Sequence, residues 1–96
     1  MRPSETLQQH RETIRQLVMQ AGMANPRVFG SVVRGEDRED SDLDILVDPA
    51  PQTSLLDVVR LQRIIGTLLE VRVDLLTPGD LPPKFRDCVV SEALPL

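Results

Sequence analysis

From Ser41 to Asp48 the chain reads SDLDILVD, a strict alternation in which Leu43, Ile45 and Val47 fall on one side and Asp42, Asp44, Leu46 and Asp48 on the other. That period of two fits a strand with one buried face; wound as a helix, the same residues would scatter apolar and charged groups around every side. Just upstream lies VFGSVVRG, a short apolar run closed by Gly30 and Ser31. Two explanations suit the pair of segments: an ordinary strand, turn and strand with one wet edge, or a site built to hold a metal ion and a nucleotide.

The spacing supports the second explanation physically. Residues i and i+2 of a strand project to the same side about 6.6 Å apart. Asp42 and Asp44 can therefore converge on a divalent ion, and two carboxylates held together call for a counter-ion. Hard oxygen donors suit Mg²⁺, which keeps several waters and completes its shell with substrate phosphates. A further alternating run, VRVDLLT, sets Arg72, Asp74 and Leu76 on one side and Val71, Val73 and Leu75 on the other. If that strand lies beside the first, Asp74 joins the pair. Gly30 lets a phosphate approach backbone N–H groups, and Ser31 adds a hydroxyl donor. Arg34 can touch phosphate or pair with an aspartate. No Gly-Lys-Ser/Thr follows the glycine and no GxGxxG occurs, so this is neither a P-loop nor a dinucleotide fingerprint.

The flanking segments supply helices. Leu7, Ile14, Leu17, Val18 and Ala21 recur at helical spacing after Ser4, which is positioned as a cap, and Gly22 is suited to end the helix in the left-handed conformation. His10 sits among polar neighbours with no second histidine, which argues against a ligand role. Asn25-Pro26 breaks the chain before the strand RVF. Ser54 followed three residues later by Asp57 signals the start of a second long helix, SLLDVVRLQRIIGTLLE, whose apolar residues cover more than one face. That girth predicts packing against the sheet and against something else. A stiff PGDLPP turn leads to a last short helix, and EDRED before Ser41 reads as a hydrated loop. The expected architecture is α/β, α-β-α-β-α-β-α, with a mixed three-stranded sheet packed with helices.

At 96 residues and 41% hydrophobic content, one domain spanning 1–96 is expected. Eleven Lys and Arg against fifteen Asp and Glu leave a net charge of -4. That balance offers no general attraction to a polyanion, and Phe29 and Phe85 provide no stacking platform, so direct nucleic-acid binding is not expected. The single cysteine, Cys88, cannot form an intrachain disulfide and reads as a buried helix residue. With no apolar leader after Met1 and no run of about 18 apolar residues, a cytoplasmic address without membrane insertion is expected.

Taken together, GSVVRG, SDLDILVD and VDLL closely resemble the minimal nucleotidyltransferases of the DNA polymerase β superfamily, with the signature GSxARG…SDxDLxV and a third downstream aspartate. Val33 departs from the family's usual alanine. The resemblance implies the small nucleotidyltransferase fold. It implies that Gly30, Ser31 and Arg34 bind the nucleotide, and that Asp42, Asp44 and Asp74 form the catalytic metal site for Mg²⁺. With ATP as co-substrate, the implied reaction transfers a nucleoside monophosphate to a hydroxyl. Many stand-alone members resemble antitoxins paired with HEPN-domain RNase toxins, which implies a protein partner, assembly with it, and adenylylation of a toxin tyrosine. The alternatives are an antitoxin that blocks its toxin by binding alone and, ranking last, an enzyme acting on a small molecule.

Overall fold

The computed structural model describes residues 2–96. Helix α1 (Pro3–Gln20) is followed by strand β1 (Ala24–Phe29), the single turn of helix α2 (Ser31–Arg34), strand β2 (Leu43–Asp48), helix α3 (Leu55–Leu69) and strand β3 (Val73–Leu76). A 3₁₀ turn (Pro78–Asp80), helix α4 (Pro83–Glu92) and the two-residue strand β4 (Leu94–Pro95) complete the order. The sheet has four strands in the order β3-β2-β1-β4, with β1 antiparallel to β2 and to β4, and β2 parallel to β3. The expected class and mixed sheet are therefore present, with one strand more than the three expected. Leu94 and Pro95 carry no periodicity of their own; they become a strand only by pairing with Val28 and Arg27.

The core lies between one face of the sheet and the two long helices. Val28, Leu43, Ile45, Val47, Val73 and Leu75 from the strands meet Leu7, Ile14 and Val18 of α1 and Val58, Leu61, Ile65 and Leu69 of α3, all buried. Helical spacing thus becomes one apolar stripe per helix, aimed at the sheet. Ser54 and Asp57 cap α3 reciprocally, the Ser54 N–H donating to the Asp57 carboxylate at 2.9 Å and the Asp57 N–H to the Ser54 hydroxyl at 3.2 Å. Because α3 connects parallel strands, it runs from the far end of β2 back to the start of β3. Its C-terminal half therefore approaches the end of the sheet that carries the aspartates.

Several local expectations change. Helix α1 begins at Pro3, one residue before the expected Ser4 cap; the Ser4 N–H instead donates to the carboxylate of Asp37 at 3.0 Å. Gly22 does adopt positive φ, +79°, after the helix. Asn25-Pro26 does not precede β1 but lies within it, where the register shifts between Ala24 and Arg27. A bulge accommodates a proline that has no N–H to offer the ladder. Helix α4 buries none of its residues, so Cys88 is exposed rather than packed. Among the described residues no helix is long and apolar enough to cross a membrane.

Candidate active site

Asp44 and Asp74 are directly paired residues of β2 and β3. Side chains paired across parallel strands project to the same face, so strand register alone brings these two carboxyls together. Asp42 precedes β2 by one residue and lies two positions before Asp44, on the same side. All three are half-buried, at the rim of the sheet. Burial first, and then the charges of Asp74 and Asp42, push the Asp44 carboxyl up from 3.8 to about 6. A hydrogen bond with Asp74 acts in the same direction, and the positive charge of Arg34 opposes it.

The turn between β1 and α2 completes the arrangement. Phe29 pairs with Asp44, which carries the next residue, Gly30, against the Asp44 side chain. Gly30 has φ +78° and ψ −146°, a conformation L-residues avoid, and a Cβ there would run into the Asp44 carboxylate. The glycine is thus required twice, by its backbone and by its neighbour. Gly30 ends β1 and hands the chain to Ser31, the first residue of α2, whose exit is set by Gly35 in the left-handed region at φ +70°. The Gly-Ser turn and the aspartates, separated in sequence by a charged loop, are one locality in space.

Arg34 is exposed and donates to Glu36 at 3.1 Å instead of contacting an aspartate, although its charge still reaches Asp44. Two residues escaped the sequence reading. Arg72, one position before β3, lies 3.8 Å from the Asp42 carboxylate across an exposed contact. Alternation had put it on the aspartate side but gave it no partner. Asp37, inside the EDRED run, is buried rather than hydrated, at 5% exposure. Burial alone would raise its pKa, but the Ser4 backbone and side-chain donors and the Arg2 charge together lower it. It fastens the loop between α2 and β2 to the start of α1, a contact across 33 positions for which the sequence has no local signal.

The donor set suits a hard divalent cation. It is carboxylate oxygen throughout, and a cation among the three would relieve the repulsion that raises Asp44. Among the described residues no three Asp, Glu, His or Cys side chains are gathered closely enough to hold a metal ion by themselves. A cation held here therefore draws part of its coordination from water or a bound substrate.

Residues 7–95 match the family described as Nucleotidyltransferase domain. The protein adenylyltransferase MntA of Thermococcus cleftensis is 42% identical over 73 residues, 76% of this chain and 74% of that relative. A solved structure of a protein provisionally assigned as a minimal nucleotidyltransferase is 47% identical, with a TM-score of 0.87 over 97% of this chain and 95% of the other. A more distant likeness is to the complex of a tri-AMPylated Shewanella oneidensis HEPN toxin with an MNT antitoxin. The matching chain has a TM-score of 0.70 at 20% identity over 92% of this chain and 69% of that one, which establishes a shared fold.

Proposed function

The chain belongs to the nucleotidyltransferase domain family, and from that premise we propose that residues 1–96 form one domain that transfers AMP from ATP to a tyrosine of a HEPN-domain RNase toxin, acting as its antitoxin. The observation that carries this reading is the register of Asp44 with Asp74, two residues after Asp42 and against Gly30. Support for a protein acceptor comes from the adenylyltransferase name of the 42% identical relative. Support for a toxin partner comes from the complex that shares the fold.

Asp42, Asp44 and Asp74 would hold Mg²⁺, which when bound neutralises charge on the phosphates and the leaving group. The chain's own residues do the rest. Gly30 leaves room for the phosphate chain beside the backbone N–H groups of the turn, and the Ser31 hydroxyl donates to a phosphate oxygen. Arg34 is close enough electrostatically to share its charge between Asp44 and the triphosphate. The tyrosine oxygen bonds to the α-phosphorus as the bond from that phosphorus to the bridging oxygen breaks, and pyrophosphate departs. Asp74 takes up the phenolic proton. Positioning and charge compensation account for such a transfer without a covalent enzyme intermediate.

The test is label transfer to a purified HEPN-domain acceptor. ATP labelled at the α-phosphate should mark the acceptor and ATP labelled at the γ-phosphate should not. Exchange of the acceptor tyrosine for phenylalanine should abolish the mark. An acceptor that is inhibited while taking up no label would replace this reading with antitoxin action by binding alone.

A further inference from the structure

The sheet does not secure its aspartates equally. Asp44 lies on β2, which has β1 on one side and β3 on the other. Asp74 lies on β3, a strand of four residues that is the last on its side of the sheet among the described residues. An edge strand is the part of a sheet most free to shift, because half of its backbone groups have no ladder partner. A carboxylate that must meet Asp42 and Asp44 therefore needs a second hold.

The backbone pattern shows where that hold is applied. The Leu43 N–H donates to the Arg72 carbonyl at 2.8 Å, so the Arg72 carbonyl faces β2. Alternation turns the Asp74 carbonyl the same way. The peptide joining Asp74 to Leu75 is trans, so its N–H points outward, off the edge of the sheet. That N–H donates to the side-chain carbonyl of Gln62 on α3, at 2.9 Å in a partly buried contact. One turn along the same flank of α3 stands Gly66, where a Cβ would lie 3.4 Å from the Val71 carbonyl oxygen and 4.0 Å from the Val73 side chain. The helix thus comes close to β3 on either side of Asp74, at Val73 through Gly66 and at Leu75 through Gln62.

We infer that Gln62 is a positioning residue for Asp74, holding the outer side of the Asp74–Leu75 peptide and so fixing where the Asp74 carboxylate stands against Asp42 and Asp44. This rests on the reading that Asp74 takes up the phenolic proton, and it adds what keeps that carboxylate in place on an edge strand. Gln62 acts through the backbone and touches no substrate. A misplacement of about 1 Å costs about a hundredfold in rate, so the contact matters more for turnover than for nucleotide binding. A glutamine that served only to keep the open edge from pairing with another chain would alter association and leave the kinetics alone.

The test uses the full chain, a purified HEPN-domain acceptor and ATP labelled at the α-phosphate. Gln62→Leu keeps the size of the side chain and removes its acceptor, whereas Gln62→Glu keeps an acceptor of the same reach. In Gln62→Leu, hydrogen exchange at the Leu75 amide should quicken about tenfold or more, and kcat for label transfer should fall about tenfold. KM for ATP and affinity for an ATP analogue with Mg²⁺ should stay within about threefold of wild type, because Gly30, Ser31, Asp42 and Asp44 are untouched. Gln62→Glu should restore both exchange and kcat to within about threefold. Arg63→Ala, the exposed neighbour on α3, should change neither. The assignment is overturned if Gln62→Leu keeps wild-type kcat while its Leu75 amide exchanges freely, or if it loses analogue binding together with kcat. It is equally overturned if Gln62→Glu is as slow as Gln62→Leu, or if Gln62→Leu self-associates while its monomer turns over normally. Wild type that marks the acceptor beside a fully active Gln62→Leu refutes the positioning role alone, whereas wild type that never marks it refutes the adenylylation reading and this role with it.

Discussion

Asp44 and Asp74 face the same side of the sheet because they are paired residues of parallel strands, and their closeness adds to burial in pushing the Asp44 carboxyl up to about 6. The relationship is unfavourable for the empty fold and useful for a site that receives a cation. Its two sides can be measured separately.

Asp44→Asn should make the protein more stable at neutral pH. An acid whose folded pKa is raised is favoured in its protonated form, so the native state loses stability as pH rises from 3.8 through about 6. Full ionisation corresponds to about 3 kcal/mol, which solvent screening at a half-buried group reduces to about 1 to 2 kcal/mol. Thermal or urea unfolding should find the variant more stable than wild type above pH 6 and equal to it below the ordinary carboxylate range. A variant less stable than wild type at pH 7 would show that Asp44 is not strained by its neighbours.

Mg²⁺ and nucleotide should bind together. Among the described residues the carboxylates are not gathered closely enough to hold a metal ion by themselves, and Mg²⁺ commonly draws on substrate phosphates for the rest of its shell. Calorimetry with a nonhydrolysable ATP analogue should give binding that collapses when EDTA is added. Undiminished affinity without metal would contradict the assignment of these aspartates. Ser31→Ala, which removes one neutral donor, should weaken binding by about 1 kcal/mol.

Gly30→Ala should be harmful out of proportion to its size. Its backbone lies at φ +78°, and the added methyl group would collide with the Asp44 carboxylate. A cost of about 2 to 3 kcal/mol is expected in denaturant unfolding, together with loss of nucleotide binding, because Asp44 must move. Gly22→Ala makes the comparison: its φ is +79° but a Cβ there meets nothing, so it should cost about 1 kcal/mol and leave nucleotide binding unchanged.

Asp37→Ala should cost about 1 to 2 kcal/mol, since it leaves the start of α1 without the acceptor for its Ser4 N–H. Because the Asp37 pKa is lowered in the fold, the stabilisation it gives is present above the ordinary carboxylate value and lost as pH falls through the lowered one. The difference between Asp37→Ala and wild type should therefore shrink in acid, the opposite direction to Asp44→Asn. Equal stability of variant and wild type at pH 7 would assign Asp37 no part in holding the loop to α1.

What the sequence disclosed and what it hid divide along physical lines. The alternation of Leu43, Ile45 and Val47 with the aspartates, the Ser54–Asp57 cap and the Gly30–Ser31 turn are local patterns, readable from residues within a few positions of one another. Strand β4, the bulge around Asn25-Pro26 and the burial of Asp37 depend on partners far along the chain. Leu46 shows the same limit from the other direction: it shares the aspartates' side of β2 by alternation, yet is fully buried. The excess apolar surface of α3 was legible as a count of residues, but which of them face α1 follows only from the packed helices.

The decisive variant for function is again Asp44→Asn, now read with its partner. The change replaces a carboxylate by an amide of nearly equal size and relieves repulsion, so loss of activity cannot be assigned to unfolding if stability rises as argued above. With the fold intact, the variant should bind a HEPN-domain acceptor with wild-type affinity. It should leave that acceptor without AMP and active as an RNase. Measuring affinity, label transfer and residual RNase activity on the same preparations separates loss of catalysis from loss of binding. If Asp44→Asn silences the acceptor as completely as wild type at equal concentration, inhibition is by occupancy, and the proposed AMP transfer is not what silences it.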